Sequence, residues 1–297
     1  MDVDDHRWPA LIFASANASA RYALTCVEPV PAPAGADPAT RAPSRLRAKS
    51  TFVDPQGRAM HWHDFGDLEG PGWAANAIGG SVLLYRWGRY TGSRELCMQA
   101  LALADHVLED GFIRSDGFVY PYWDLAAGRF CLNYTHNDAW LCPGSLAKVG
   151  TQMLDLATAV EDDPAAGQRG AALRQAAAEL YAWLVAHTPV LPNGWVPRRI
   201  TPAGDQYPLT PEGGADPIFD HSADGLFLLD LGVRLGDRQR ALTLGEAALL
   251  VSLPQSPEAR RPDRHRDPIQ AEEIEACVAH DAVEKRHQRF RGTCACT

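Results

Sequence analysis

The sequence predicts an all-α fold built of helical hairpins, and three observations carry that prediction. Apolar residues recur at three- and four-residue spacing through stretches of roughly fifteen residues, the period of an amphipathic helix. Short Gly/Asp breaks join these stretches in pairs. The first two pairs are each followed by an extended segment rich in Gly, Pro or aromatic residues, and starts near Trp73, Asp138 and His221 are spaced 65 and 83 residues apart. Such units are longer than the ~34–47 residues of common helical solenoids. The excess lies in connectors at one end of the hairpins, where loops build sites.

The first hairpin opens with Trp73–Tyr90, which places Ile78, Val82, Tyr85 and Tyr90 near one face. Thr91-Gly92-Ser93 breaks it, and Ser93 is placed to cap the next helix. Arg94–Leu108 follows, with Leu96, Ala100, Leu103, Val107 and Leu108 as its apolar stripe. After Asp110-Gly111-Phe112 comes an extended aromatic stretch, Gly117–Asp124. The second hairpin pairs Ser145–Val160 with Gly170–His187 across Asp162-Asp163-Pro164. Pro192-Asn193-Gly194-Trp195 turns the chain into a Pro-rich stretch that runs to Pro217. The third pairs His221–Leu235 with Asp237–Val251, split at Leu235-Gly236-Asp237. Gly79-Gly80 lies inside a helix and is expected to allow close helix packing, and Trp87 and Trp183 are expected in the core.

The flanks read differently. Residues 1–59 are expected to be weakly structured, with a short element closing at Tyr22–Leu24 and a Pro/Ala-rich linker over Glu28–Ser44. The hairpin region is taken as 60–251. Residues 252–297 are charged and Pro-rich, do not continue the repeat, and hold at most one helix with a thin apolar stripe, Glu272–Phe290.

Composition narrows the function. Of 297 residues, 46% are hydrophobic and 22% charged, which excludes global disorder. The net charge of −9, with no basic stripe, argues against a nucleic-acid partner. No apolar run approaches the ~20 residues of a membrane span, and Met1-Asp2-Val3-Asp4-Asp5 is not the basic start of a secretory signal. Seven irregularly spaced cysteines, with Cys97 read as a buried free thiol, fit a reducing, cytoplasmic compartment.

Paired helices with Gly-aromatic connectors resemble the six-hairpin (α/α) toroid of carbohydrate-active enzymes. The unsaturated glucuronyl and rhamnogalacturonyl hydrolases are nearest in look. His63-Asp64-Phe65-Gly66 resembles their His-Asp-x-Gly element before a helix. Asp138 in His136-Asn137-Asp138-Ala139-Trp140 resembles their Asp at the start of an inner helix, as do Asp220 and Asp224 in Phe219-Asp220-His221-Ser222-Ala223-Asp224-Gly225. Asp116–Leu132, with Tyr120-Pro121-Tyr122-Trp123-Asp124, resembles one of their connectors. The resemblance covers roughly Met60–Val251 and implies a toroid, here an incomplete one, because three hairpins are evident where the family has six. It implies a glycoside hydrolase acting on an oligosaccharide, with an unsaturated uronide as one candidate. One Asp would protonate the substrate while water adds.

The residues can be weighed without that resemblance. Glycosyl transfer and hydration commonly need one carboxyl group as proton donor and a second as base, nucleophile or stabiliser. Asp64, Asp67, Asp138, Asp220 and Asp224 stand at or just before expected helix starts, where a carboxylate can also simply cap backbone N–H groups. If the inner helices run parallel, these positions converge at one end. Asp64 and Asp138 are then the expected catalytic pair. His136 and His221 neighbour the carboxylates as relays or hydrogen-bond donors, or as capping histidines. Trp62, Trp73, Trp123 and Trp140 offer flat faces for sugar C–H surfaces, or seal the hairpin ends. These residues, with Asp220 and Asp224, make up the expected substrate contacts. Arg198-Arg199 fits a uronate carboxylate but reads more simply as a solvated turn. His61-Trp62-His63-Asp64 lacks metallohydrolase spacing, so neither a metal nor another cofactor is expected.

Other classes remain open on these residues. A polysaccharide lyase or sugar epimerase on the same fold would use His136, His221 or a Tyr as base. A non-catalytic helical scaffold, a partial ring with exposed apolar faces, would bind a glycan or protein partner or form a homodimer.

Overall fold

The computed structural model describes residues 8–31, 45–49, 68–207 and 224–252. Among them are seven α-helices. The hairpins are α2 (Ala77–Thr91) with α3 (Arg94–Glu109), α4 (Pro143–Ala159) with α5 (Arg169–His187), and α6 (Asp224–Arg234) with α7 (Arg238–Ser252). The all-α reading holds, and each hairpin lies where the apolar period places it.

The local signals that fix the hairpins are visible in the turns. Ser93 accepts the Leu96 N–H at 3.3 Å and caps α3, while Gly92 takes φ 73°, a left-handed conformation that favours glycine. Asp163 accepts the Ala165 N–H at 2.9 Å and starts a 3₁₀ turn, Pro164–Ala166, before α5. Asp237 accepts the Arg240 N–H at 3.1 Å and caps α7. At the tight first turn Gly88 has no side chain because a Cβ there would sit 2.9 Å from the Cys97 backbone nitrogen.

α2, α4 and α6 form one layer of parallel neighbours. Asn76, before α2, accepts Gln152 Nε2 of α4 at 3.0 Å, and Tyr85, further along α2, reaches Asp163 beyond the end of α4 at 2.5 Å. Gly144 at the start of α4 meets Asp224 at the start of α6, and Gly150 packs on Leu231. Asp155 of α4 lies 3.9 Å from Arg86 of α2 and 2.9 Å from Arg234 of α6, so one carboxylate ties all three helices. Ile78, Tyr85, Leu146, Met153 and Leu156 are fully buried in this layer, each contributing on the order of 2 kcal/mol of apolar burial. α3 and α5 pack behind it, with Leu101, Leu103 and Leu173 fully buried.

The long connectors join outer helices to the N-termini of the inner ones. The first carries the hairpin of β4 (Tyr122–Asp124) and β5 (Arg129–Cys131), and β3 (Leu68–Glu69), from ahead of α2, pairs antiparallel with β4 to complete a small sheet. The two connectors are stitched together where Leu141 and Ile200 exchange backbone hydrogen bonds of 2.9 and 3.0 Å.

The N-terminal region differs from the weakly structured segment expected. Trp8–Thr25 is an 18-residue helix, α1, followed by β1 (Val27–Pro29), which pairs antiparallel with β2 (Leu46–Ala48). Its Ala/Leu-rich sequence has a helix former's composition but no polar face to mark a period. Trp87, expected in the core, is half-buried and packs on Phe13 of α1 at 5.2 Å. Tyr90, expected on the apolar stripe, is exposed. Trp183 and Cys97 are buried as expected. Gly79 does allow close packing, since a Cβ there would strike Asn76 and Gln152, but Gly80 has open space beside it. The expectations for residues 32–44 and 253–297 lie outside the described residues.

Candidate functional site

The end of the layer at which the inner helices start is built from the β4–β5 hairpin and the loop that leads from it into α4. Asp124 closes β4 and is buried. Its Oδ1 accepts the N–H groups of Ala126 and Ala127 at 3.0 and 2.8 Å, which turns the chain toward Gly128 at φ 64°. Its Oδ2 lies 2.7 Å from His136 Nδ1. Burial alone would push the Asp124 carboxyl up, but the Ala127 N–H, the His136 imidazole and the Ala126 N–H outweigh it and hold the group below the usual carboxylate range.

His136 is one of two non-glycine residues with positive φ among the described residues, at 61°. A left-handed histidine costs backbone energy, about 1–3 kcal/mol, and persists only where its surroundings fix it. Arg129 supplies much of that restraint. It donates to the His136 carbonyl at 2.7 Å and to Asp138 Oδ2 at 2.5 Å. One guanidinium thus sets the backbone of His136 and the carboxylate of Asp138 together. Asp138 is exposed and stands five residues before α4, in the loop and not at the helix start.

Beside Asp138 lies a cleft of about 240 Å³ with walls of Phe118, Tyr120, Phe130 and Trp183 and with Arg114 and Asp138 among its polar lining. Tyr120 and Phe130 stack at 4.5 Å, and Trp183 meets Phe118 at 4.7 Å. Trp123 is half-buried, edge-on to Phe130 at 4.8 Å. A second row of aromatics runs from exposed Trp73 through Tyr134 at 5.2 Å to buried Trp140 at 5.4 Å. Arg199 covers the Trp140 ring at 4.0 Å and donates to the Tyr134 hydroxyl at 3.4 Å. Arg198 is exposed, as a solvated turn requires, whereas Arg199 is built into the aromatic row.

Asp224 is buried at the first turn of α6, and its Oδ1 accepts the Gly144 N–H of α4 at 3.0 Å. It stands beside Cys142, whose thiol burial, first, and the Asp224 charge, second, push up to about 12. The geometry gives Asp224 a capping duty toward the neighbouring helix.

The structure therefore brings Asp138, His136, Trp123 and Trp140 to one connector, with Trp73 in the adjoining aromatic row. Asp64, Trp62, Asp220 and His221 lie outside the described residues. The sequence reading did not single out Asp124, Arg129 or Arg114. Asp124 followed by Gly128 is a turn signal, but its partner lies twelve residues on, beyond any local pattern. Among the described residues no group of three or more His, Cys, Asp or Glu is placed to hold a metal ion. None of the described helices is long and apolar enough to cross a membrane.

No family model matches the chain, and no curated protein matches it. Among solved structures it is similar to the unsaturated glucuronyl hydrolase, responsible for the degradation of glycosaminoglycan, from Bacillus sp. GL1. The match has 16% sequence identity and a TM-score of 0.36, and covers 59% of this chain and 44% of that one. The chain spans less than half the length of that enzyme.

Proposed function

We propose that this chain binds an oligosaccharide at the connector end of its inner helices and hydrolyses it, with an unsaturated uronide as the favoured substrate. The observation that carries this reading is the aromatic cleft with Asp138 at its polar lining. Half-buried Tyr120 and Phe130 give the apolar ring surface that a sugar can pack on, and Asp138 gives the carboxylate that glycoside chemistry needs beside them. Ion-paired to Arg129, Asp138 serves as an anion that accepts a proton from water or stabilises positive charge on the sugar ring. The proton donor of the proposal is Asp64, on the strength of the His63-Asp64-Phe65-Gly66 resemblance.

A second reading rests on the Asp124–His136 pair. A buried carboxylate that orients an imidazole suits proton abstraction next to a uronate carboxyl, as in a lyase or epimerase.

Absorbance of the 4,5-double bond separates these readings. Hydration-driven hydrolysis of an unsaturated uronide removes the absorbance, a lyase acting on a saturated polyuronide creates it, and an epimerase leaves it unchanged. We expect loss of absorbance with wild-type protein and at least ~100-fold slower loss with Asp138→Asn and Asp64→Asn. Turnover unaffected by both substitutions would sink the hydrolase reading.

A further inference from the structure

We propose that Arg114 reads the carboxylate of a single terminal uronate ring in the cleft beside Asp138, and so separates an acidic sugar from its neutral counterpart. The inference rests on the reading of that cleft as a sugar site. Among the described residues that line it, Arg114 is the cation and Asp138 the anion. The rest of the lining is aromatic or aliphatic, so an anionic ligand group has one place to go. At about 240 Å³ the cleft is smaller than the roughly 300–1,000 Å³ of sites that hold drug-sized molecules. That suits one ring at the end of an oligosaccharide, with the remainder outside.

The backbone of Arg114 is fixed. Its N–H donates to the Phe118 carbonyl at 2.8 Å, and its carbonyl accepts the Gly117 N–H at 3.0 Å, which closes a tight turn. Gly117 has φ 87°, and a Cβ there would fall 2.6 Å from the Glu179 carbonyl oxygen, so the turn is pressed onto α5. The same helix supplies Trp183, which meets Phe118 in the cleft wall. A turn and a wall held by one helix keep the arginine in register with the cleft.

The guanidinium is steadied but not used up. Its central carbon lies 5.4 Å from the centre of the Phe118 ring. Nη2 donates to Asp116 Oδ2 at 2.6 Å, and Asp116 Oδ1 accepts the Phe118 N–H at 3.3 Å. The Arg114 and Asp116 side chains are 48% and 43% exposed, and an ion pair so open to water is weak. The remaining N–H groups of the fork make no hydrogen bond to a described residue. A planar carboxylate can take two of them in parallel, a geometry that a neutral hydroxymethyl group does not reproduce. Asp138 is paired with Arg129, which limits its repulsion of an anionic ring.

The test is calorimetric titration of the full chain with an unsaturated uronyl disaccharide and with the same disaccharide whose carboxyl group has been reduced to the alcohol. Turnover of both compounds is followed alongside. Wild type is expected to bind the acid at least ~10-fold more tightly than the alcohol, the worth of a charge-assisted pair partly open to water. Arg114→Gln is expected to abolish that preference by weakening the acid alone, with circular dichroism unchanged. Arg114→Lys keeps the charge without the fork and is expected to recover part of the preference. Equal binding of acid and alcohol by wild type, a preference that survives Arg114→Gln, or an equal loss for both compounds overturns the proposal, even where the disaccharide is hydrolysed. An Arg114-dependent preference without turnover upholds it and rejects hydrolysis instead. Binding of neither compound at millimolar concentration overturns both.

Discussion

Asp224, the first residue of α6, accepts the backbone N–H of Gly144, the second residue of α4, at 3.0 Å. Pro143 has no N–H, and Cys142 makes no side-chain cap, so Gly144 is the first amide of α4 that needs a partner. Asp224→Ala is expected to cost about 1–2 kcal/mol, the value of a lost cap at a buried donor. Gly144→Ala is expected to cost about 2–3 kcal/mol, because its Cβ would fall 2.4 Å from the Asp224 Cα and one backbone would have to move. Urea unfolding at neutral pH measures both, and a Gly144→Ala variant as stable as wild type would contradict the packing.

Arg129 offers a sharper functional variant than Asp138 itself. Its side chain is exposed, so Arg129→Gln is expected to shift the unfolding midpoint little. It releases both the Asp138 carboxylate and the His136 carbonyl. If the proposed hydrolysis takes place at Asp138, turnover of the unsaturated uronide is expected to fall at least ~10-fold, since a misplaced catalytic group costs rate without costing fold. Unaltered turnover would mean that the Asp138 geometry does not matter to the reaction.

Asp124 stands at the other extreme. It is buried, and its two oxygens accept two amides and meet an imidazole. Asp124→Ala takes the acceptor from two amides and the carboxylate from beside His136 Nδ1, and is expected to cost about 3 kcal/mol and to loosen the imidazole, while Arg129 still holds the His136 carbonyl. The imidazole signals of His136 in a heteronuclear spectrum report the second effect directly.

Two tyrosines repeat one device in different hairpins. Tyr85 donates to Asp163 at 2.5 Å and Tyr181 to Asp237 at 2.8 Å. Burial first, and the facing carboxylate second, push the Tyr85 hydroxyl up to about 12 and raise that of Tyr181 as well. Tyr85→Phe and Tyr181→Phe are each expected to cost about 1 kcal/mol, the net worth of one such hydrogen bond. Denaturant unfolding of the two variants gives the comparison.

The same carboxylates set the acid limit of the fold. Asp163 is held low by the Tyr85 hydroxyl and the Ala165 N–H, and Asp237 by the Arg240 N–H and the Tyr181 hydroxyl. Asp124 is held low against the cost of its burial. Each ionises more readily folded than unfolded, so the unfolded chain takes up protons first as pH falls. Their stabilisation is complete above about pH 5 and drains as pH drops through about 4 and below. Unfolding midpoints are expected to be flat from pH 7 to 5 and to fall steeply beneath 4. Tyr85→Phe is expected to blunt that fall.

Much of the hairpin architecture was legible because it is local. Ser93, Asp163 and Asp237 are capping residues within three positions of the amides they bind, and the apolar stripes of α3 and α4 have a clean period. α1 was not legible, because a helix of Ala, Leu and Ser with one charge has no contrast between its faces. The site divides along the same line. His136, Asp138 and the connector aromatics stand out by residue type, whereas Asp124, Arg129 and Arg114 gain meaning only when the β4–β5 hairpin folds back. Asp224 was legible as a helix-start carboxylate, but the amide it caps lies eighty residues earlier.

The seam between β1 and β2 has a consequence for how the chain can be divided. Glu28 binds Arg47 at 2.7 Å and Lys49 at 2.6 Å, and Arg45 in turn pairs with Glu109 and Asp110 at the end of α3. The helix α1 is therefore fastened to the hairpins by strand pairing and ion pairs as well as by the chain that continues from residue 31. Those contacts join residues on either side of positions 32–44 without relying on the chain between them. Two polypeptides meeting at that seam, made separately and mixed, would then assemble into a single particle, with α1 as the smaller of two complementing fragments.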